Sequence, residues 1–195
     1  MKVQEISPGA YSISSAKYVL SLAPGLGAAQ LNLKHSSQCY RFFAGGDCLT
    51  VGGREDCSRI GAWRILTQND REVVFCREFS SNLWEKKQFL LVCRPGCLEF
   101  QHILQGRGQL QEVRFFRGRY QGFEYGFAGE FDEIYNTAPN FQERRYYHPI
   151  EHLEISNGNC LESWAGGQAL ASPCHCLGLR DRREERFLVA GLAAE

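Results

Sequence analysis

From Trp84 to Leu104 the chain reads Trp-Glu-Lys-Lys-Gln-Phe-Leu-Leu-Val-Cys-Arg, then Pro95-Gly96, then Cys-Leu-Glu-Phe-Gln-His-Ile-Leu, and this alternation predicts a β-hairpin. Pro95 presets φ at the first central turn position and Gly96 accepts the positive φ that the second can require, so Arg94 and Cys97 close the turn. Counting outward pairs Cys93 with Leu98, Leu91 with Phe100 and Phe89 with His102. One face is then apolar apart from His102, and the other carries Arg94, Gln88, Glu99 and Gln101. A three-residue loop would set Leu91 against Glu99, so the pattern selects the two-residue turn. Ordering costs about 1–2 kcal/mol of backbone entropy per residue, and each buried large apolar side chain returns about 1.5–3 kcal/mol. A lone hairpin cannot close that gap, so its apolar face must meet a second layer. The predicted fold class is all-β, an antiparallel β-sandwich with few or no helices.

The rest of the chain carries the same signal. Short alternating runs at Val3 to Ser7, Tyr11 to Ser15 and Lys17 to Ala23 are separated by Pro8-Gly9 and ended by Pro24-Gly25, which are turn signals. Further strands are predicted at Ala29 to Lys34, Cys39 to Phe43, Asp47 to Val51, Ser58 to Thr67, Arg71 to Phe79 and Gln109 to Phe116. Towards the C-terminus come Glu151 to Ile155, Gln168 to Ser172, Cys174 to Leu179 and Phe187 to Ala193. The last strand runs on to Glu195 without a stop signal, which reads as the N-terminal part of a longer chain, although residues 1–195 form a single β-sandwich domain on this reading.

Residues 115 to 147 break the pattern. Eleven of these 33 residues are aromatic, interleaved with Gly, Arg and carboxylates, with neither clean alternation nor a helical stripe apart from one possible helical turn at Asp132 to Asn136. Such a stretch is too aromatic for disorder, and it reads as a long irregular loop that packs on something. Its candidate contact residues are Tyr125, Phe131, Asp132, Glu133, Tyr135, Asn136, Asn140, Phe141, Arg144, Tyr147 and His148. Rings beside carboxylates, amides and guanidinium groups suit the C-H faces and hydroxyls of sugars. The same inventory suits a protein interface. The plainer alternative is that the rings fill a core or a domain boundary.

Charge and cysteine content narrow the classes. Lys plus Arg and Asp plus Glu number 22 each, so no basic field is available for nucleic acid or an anionic membrane. No run of apolar residues is long enough for a membrane helix, and Met1-Lys-Val-Gln-Glu-Ile lacks the apolar centre of a secretion signal. The expected compartment is the cytoplasm. Nine cysteines, an odd count without an export signal, read as mostly free thiols used as small apolar residues.

Chemistry-bearing groups are present without a diagnostic arrangement. Hydrolysis of a glycosidic bond needs two carboxyl groups about 5–5.5 Å or about 6.5–9.5 Å apart. Glu130, Asp132, Glu133 and Glu143 supply the groups, but a charged loop surface is the commoner origin of such a cluster. His148 and His152 lie four apart, yet Pro149 opposes the helix that would make them metal ligands. Cys174-His175-Cys176 lacks paired Cys-x-x-Cys partners. The glycines match no phosphate-binding fingerprint. No metal and no cofactor is expected.

At Gly126-Phe-Ala-Gly-Glu-Phe-Asp-Glu-Ile-Tyr-Asn-Thr-Ala-Pro-Asn-Phe-Gln-Glu-Arg-Arg-Tyr-Tyr-His-Pro149, at Gly167-Gln-Ala-Leu-Ala-Ser-Pro173 and at Phe187 to Glu195, the sequence resembles the N-terminal β-sandwich domain of alpha-galactosidase-like glycoside hydrolases. The residue pattern is specific only from Gly126 onward, and elsewhere the likeness is one of architecture. The resemblance implies a galactose-mutarotase-like supersandwich that packs on a C-terminal (β/α)8 barrel, where the catalytic aspartates reside. It therefore implies a non-catalytic accessory domain that lends a loop to an oligosaccharide site, with its own barrel as partner. Two other classes stay open at this level. One is a free-standing mutarotase-like epimerase using His102, His148 or His152 with a carboxylate such as Glu154; the other is an interaction module without sugar affinity.

Overall fold

The computed structural model describes residues 1–25, 28–129, 133–136, 146–149, 176–181 and 186–191. Every regular element among them is a strand. In chain order these are β1 (Lys2–Ser7), β2 (Ala10–Ser14), β3 (Tyr18–Leu22), β4 (Ala28–Leu33), β5 (Cys39–Phe43), β6 (Cys48–Thr50), β7 (Gly53–Arg54), β8 (Cys57–Ile60), β9 (Arg64–Gln68) and β10 (Val73–Ser81). They continue with β11 (Lys86–Cys93), β12 (Leu98–Gln105), β13 (Leu110–Val113), β14 (Gly118–Tyr120), β15 (Phe123–Tyr125), β16 (Phe127–Gly129), β17 (Glu133–Asn136), β18 (Tyr146–Pro149), β19 (Cys176–Asp181) and β20 (Arg186–Gly191). The chain divides into two compact units, Met1–Phe127 and Ala128–Glu195.

The first unit is the expected all-β sandwich. One sheet has the order β1-β2-β3-β4-β5, and the other runs β12-β11-β10-β8-β14-β15 with β9 also paired to β10. Within β1 to β5 and within β12-β11-β10-β8 and β14-β15 neighbours are antiparallel, and β14 pairs with β8 in parallel at Tyr120 and Cys57. The predicted hairpin forms β11 and β12 in the register read from the pattern: Cys93 opposite Leu98, Leu91 opposite Phe100, Phe89 opposite His102. The Arg94 amide donates to the Cys97 carbonyl at 2.9 Å, which closes the two-residue turn.

Alternation on facing strands builds the core between the sheets. Ile13, Leu20, Leu22 and Tyr40 on one sheet and Phe75, Phe89, Leu91 and Cys93 on the other are buried. Rings cross the gap where the sheets meet: Tyr11 to Phe75 at 5.1 Å and Phe42 to Phe100 at 5.8 Å between centroids, spacings at which aromatic pairs add stability beyond their area. The Tyr18 hydroxyl donates across to the Arg94 carbonyl at 2.7 Å.

Three sequence expectations are corrected. The run Ser58 to Thr67 is two strands, Cys57–Ile60 and Arg64–Gln68, each paired with β10, because Trp63 between them turns inward to 2% exposure. The possible helical turn at Asp132 to Asn136 is replaced, over its described residues, by strand β17 (Glu133–Asn136). The stretch after Phe116 is not an irregular loop as far as it is described. It forms hairpin β14–β15 and the short strand β16, because Gln121-Gly122 supplies a tight turn that the aromatic count concealed.

A small sheet has the order β13-β6-β7. The second unit contains a four-stranded antiparallel sheet, β18-β17-β19-β20. Its register sets Tyr135 opposite Tyr147, Ile134 opposite His148 and Leu179 opposite Leu188. No helix among the described residues is long and apolar enough to cross a membrane.

Candidate functional site

The densest collection of chemistry lies where β6, β7, β8 and β11 converge. Parity along β11 turns Lys87 to the core face with Phe89, Leu91 and Cys93, and its ammonium is 1% exposed as a residue. It donates to Glu55 Oε2 at 2.6 Å and to the Gly46 carbonyl at 2.5 Å. Glu55 is also fully buried, and its carboxylate accepts the Cys48 amide at 2.9 Å. A buried ion pair holds only with such additional hydrogen bonds, because desolvation of each ion costs several kcal/mol. Asp47, one residue from Gly46, accepts from Arg54 Nε at 2.9 Å and faces Arg114 Nε at 4.0 Å. Burial raises the Asp47 pKa, and the Arg54 and Arg114 guanidinium groups only partly offset it.

Gly46 is required here: a Cβ would sit 1.8 Å from the Arg114 carbonyl and 2.5 Å from His102 Nε2. His102 is clasped between Phe89 and Phe115, at centroid distances of 4.9 and 4.7 Å. Burial, with Lys87 nearby, pushes its pKa down to about 3 against a weaker pull from the Arg114 backbone, so the imidazole is neutral at physiological pH. Burial likewise pushes the Cys48 and Cys57 thiols up to about 12, which removes their nucleophilicity. The buried Lys87, Glu55 and Asp47 hold the β6–β7 corner against β11. They offer no reacting group to a solute.

Above that corner lies an open surface. Arg54 Nη1 and Arg117 Nη2 both donate to Glu124, at 2.5 and 2.9 Å. Arg117 first, then Arg54, holds the Glu124 carboxyl below the usual carboxylate range. Glu124 sits on β15 between Phe123, which is 71% exposed, and Tyr125. Tyr125 stacks on Phe43 at 6.0 Å and 26°. Gly118 permits this approach, since a Cβ there would meet the Phe43 ring at 2.4 Å.

The turn that presents Phe123 is anchored. Gln121 and Gly122 have φ of 49° and 81°, the pair of positive values that a two-residue hairpin turn favours. For Gln this is an uncommon region. Three contacts hold it: the Gln121 amide to the Cys57 carbonyl at 2.9 Å, Gln121 Nε2 to the Ser58 carbonyl at 3.3 Å, and the Gly122 amide to Asp56 Oδ1 at 3.3 Å. The result is a pre-set turn that presents one exposed ring, Phe123, suited to apolar C-H faces, while the pair Arg119 and Glu124 lies on the opposite face of the hairpin.

Of the residues singled out from sequence, Tyr125 belongs to this surface through its ring. Glu133, Tyr135 and Asn136 lie on β17, and Tyr147 and His148 on β18, within the second unit's sheet. Phe131, Asp132, Asn140, Phe141 and Arg144 lie outside the described residues, as do His152 and Glu154. His102 is a core side chain. Among the described residues no group of three or more His, Cys, Asp or Glu is placed to hold a metal ion. Sequence reading missed Phe123, Glu124, Arg54 and Arg117, and it missed Lys87 although parity on β11 could have found it. Compared with protein-family models, with curated proteins and with solved structures, the chain matches none.

Proposed function

We propose that this chain is a non-catalytic accessory β-sandwich module of an alpha-galactosidase-like glycoside hydrolase, with hairpin β14–β15 at the edge that meets carbohydrate. The observation that carries this reading is a separation. The groups clustered at the β6–β8 and β11 corner, Lys87, Glu55, Asp47, Cys48 and Cys57, are buried, while Phe123, 71% exposed, stands on an anchored turn. Acid–base catalysis needs a group within hydrogen-bond reach of the substrate, and Lys87, Glu55 and His102 have no such reach. A ring on a rigid turn loses little entropy on contact.

Titration calorimetry of the protein with galactosides and glucosides tests the reading. Binding in the millimolar range is expected, weakened several-fold by Phe123→Ala, with no acceleration of aldose anomer exchange over buffer in polarimetry. Catalysed anomer exchange would replace the proposal with an epimerase. Absence of binding to every glycoside would remove the carbohydrate assignment.

A further inference from the structure

Two of the sandwich's edge strands, β1 and β12, are protected unequally. β1 is interrupted by a register shift between Glu5 and Ser7, begins at Lys2 and is ended by Pro8, all devices that discourage pairing with another chain. β12 has none of them. Its eight residues pair with β11 without a shift, contain neither Pro nor Lys, and carry Glu99 as their one charge.

The hydrogen-bond phase of β12 follows from its turn. Because Arg94 donates to the Cys97 carbonyl, the pairs Val92/Glu99, Leu90/Gln101, Gln88/Ile103 and Lys86/Gln105 are the hydrogen-bonded ones. The amides and carbonyls of Leu98, Phe100, His102 and Leu104 therefore point to the free edge.

The outward positions read Glu99, Gln101, Ile103, Gln105, then Arg107 just past the strand. This series complements itself when reversed. A two-fold axis at Ile103 places Ile103 against itself, Gln101 against Gln105, and Glu99 against Arg107. Glu99 already pairs with Arg94, which also holds Glu72 at 3.0 Å. That trio carries one net negative charge, and Glu99 remains 43% exposed. A facing Arg107 supplies the missing positive charge. Ile103 and Arg107 are exposed.

We infer that β12 pairs antiparallel with β12 of a second copy of this chain about a two-fold axis at Ile103, joining two seven-stranded sheets into one. In that register His102 and Leu104 exchange backbone hydrogen bonds across the axis, while Ile103 makes the close, non-hydrogen-bonded pair whose side chains touch.

Sedimentation equilibrium across low to high micromolar protein tests this. The wild-type chain is expected to dimerise, and Ile103→Lys, which sets two ammonium groups together, to be monomeric over the same range with an unchanged circular dichroism spectrum. Glu99→Arg and Arg107→Glu should each weaken association about tenfold, since every reversal acts twice across the axis. The double reversal should restore it to within about threefold. A wild-type monomer throughout, or a dimer indifferent to Ile103→Lys, overturns the interface. Failure of the double reversal to restore association overturns the register.

Discussion

Two cations are buried side by side in this sandwich and are satisfied in different ways. Lys87 on β11 has a carboxylate, Glu55, and a carbonyl. Arg77 on β10, equally sealed, has no carboxylate within ion-pair distance among the described residues. Its Nε and Nη2 donate to the Gly61 carbonyl at 3.2 and 3.0 Å, and Nη2 also reaches the Gly25 carbonyl at 3.1 Å. Its guanidinium carbon lies 4.4 Å from the Trp63 centroid and 5.8 Å from that of Phe79. Phe79 also meets Lys87 Nζ, at 5.4 Å, so one ring serves both cations. An ammonium is a compact, strongly hydrated charge that demands a point anion when it leaves water. A guanidinium is broad and weakly hydrated, and ring faces with carbonyls suffice. Burial still lowers the Arg77 pKa to about 10, far enough above neutrality to keep the charge.

The contrast breaks most sharply at Lys87. Lys87→Met leaves Glu55 buried without a counter-charge and is expected to cost about 3–5 kcal/mol in urea unfolding. Adding Glu55→Gln should recover at least half of that loss; no recovery would mean that packing rather than charge explains it. Arg77→Met abandons only carbonyls and rings and should cost about 1–3 kcal/mol. Arg77→Lys should be no better than Arg77→Met, because an ammonium without a carboxylate is the worse tenant of that site. Equal losses for Lys87→Met and Arg77→Met would erase the distinction.

A third buried nitrogen base gives a pH test. His102 has a folded pKa of about 3 against an ordinary value of 6.5, so the unfolded chain takes up a proton that the folded chain refuses. Its contribution is fully present above about pH 6.5 and is lost as pH falls towards 3. Asp47, with its pKa raised, acts in the opposite sense and is relieved by acid. His102→Phe is expected to flatten the fall in Tm between pH 6.5 and 4, measured by calorimetry. An unchanged slope would place the acid sensitivity elsewhere. The smallest effect belongs to the open hairpin, where Phe123→Ser should change stability by no more than about 0.5 kcal/mol.

Much of the fold was legible because its strands alternate. The Pro95-Gly96 turn and the apolar face of β11 and β12 fix a register that can be counted on paper, and a one-residue slip would expose Phe89 and Leu91. The site was less legible. Lys87 sits in core phase, but charged residues are so rarely fully buried that parity alone does not argue for it. Glu55 has no local signal, since its partner is 32 residues away. Hairpin β14–β15 was hidden because its turn begins with Gln rather than Asn or Asp, and because its pairing strand, β8, precedes it by the length of several strands.

That long separation shapes how the molecule assembles and breathes. Hairpin β11–β12 closes on itself and can nucleate within microseconds, whereas Gln121 must find Ser58 at a sequence separation of 63 residues, a loop closure that costs entropy before any contact rewards it. The aromatic hairpin is thus a late arrival and an early leaver: in native-state amide exchange, Tyr120 and Gln121 should open together, below the free energy that protects Phe89 and Leu91.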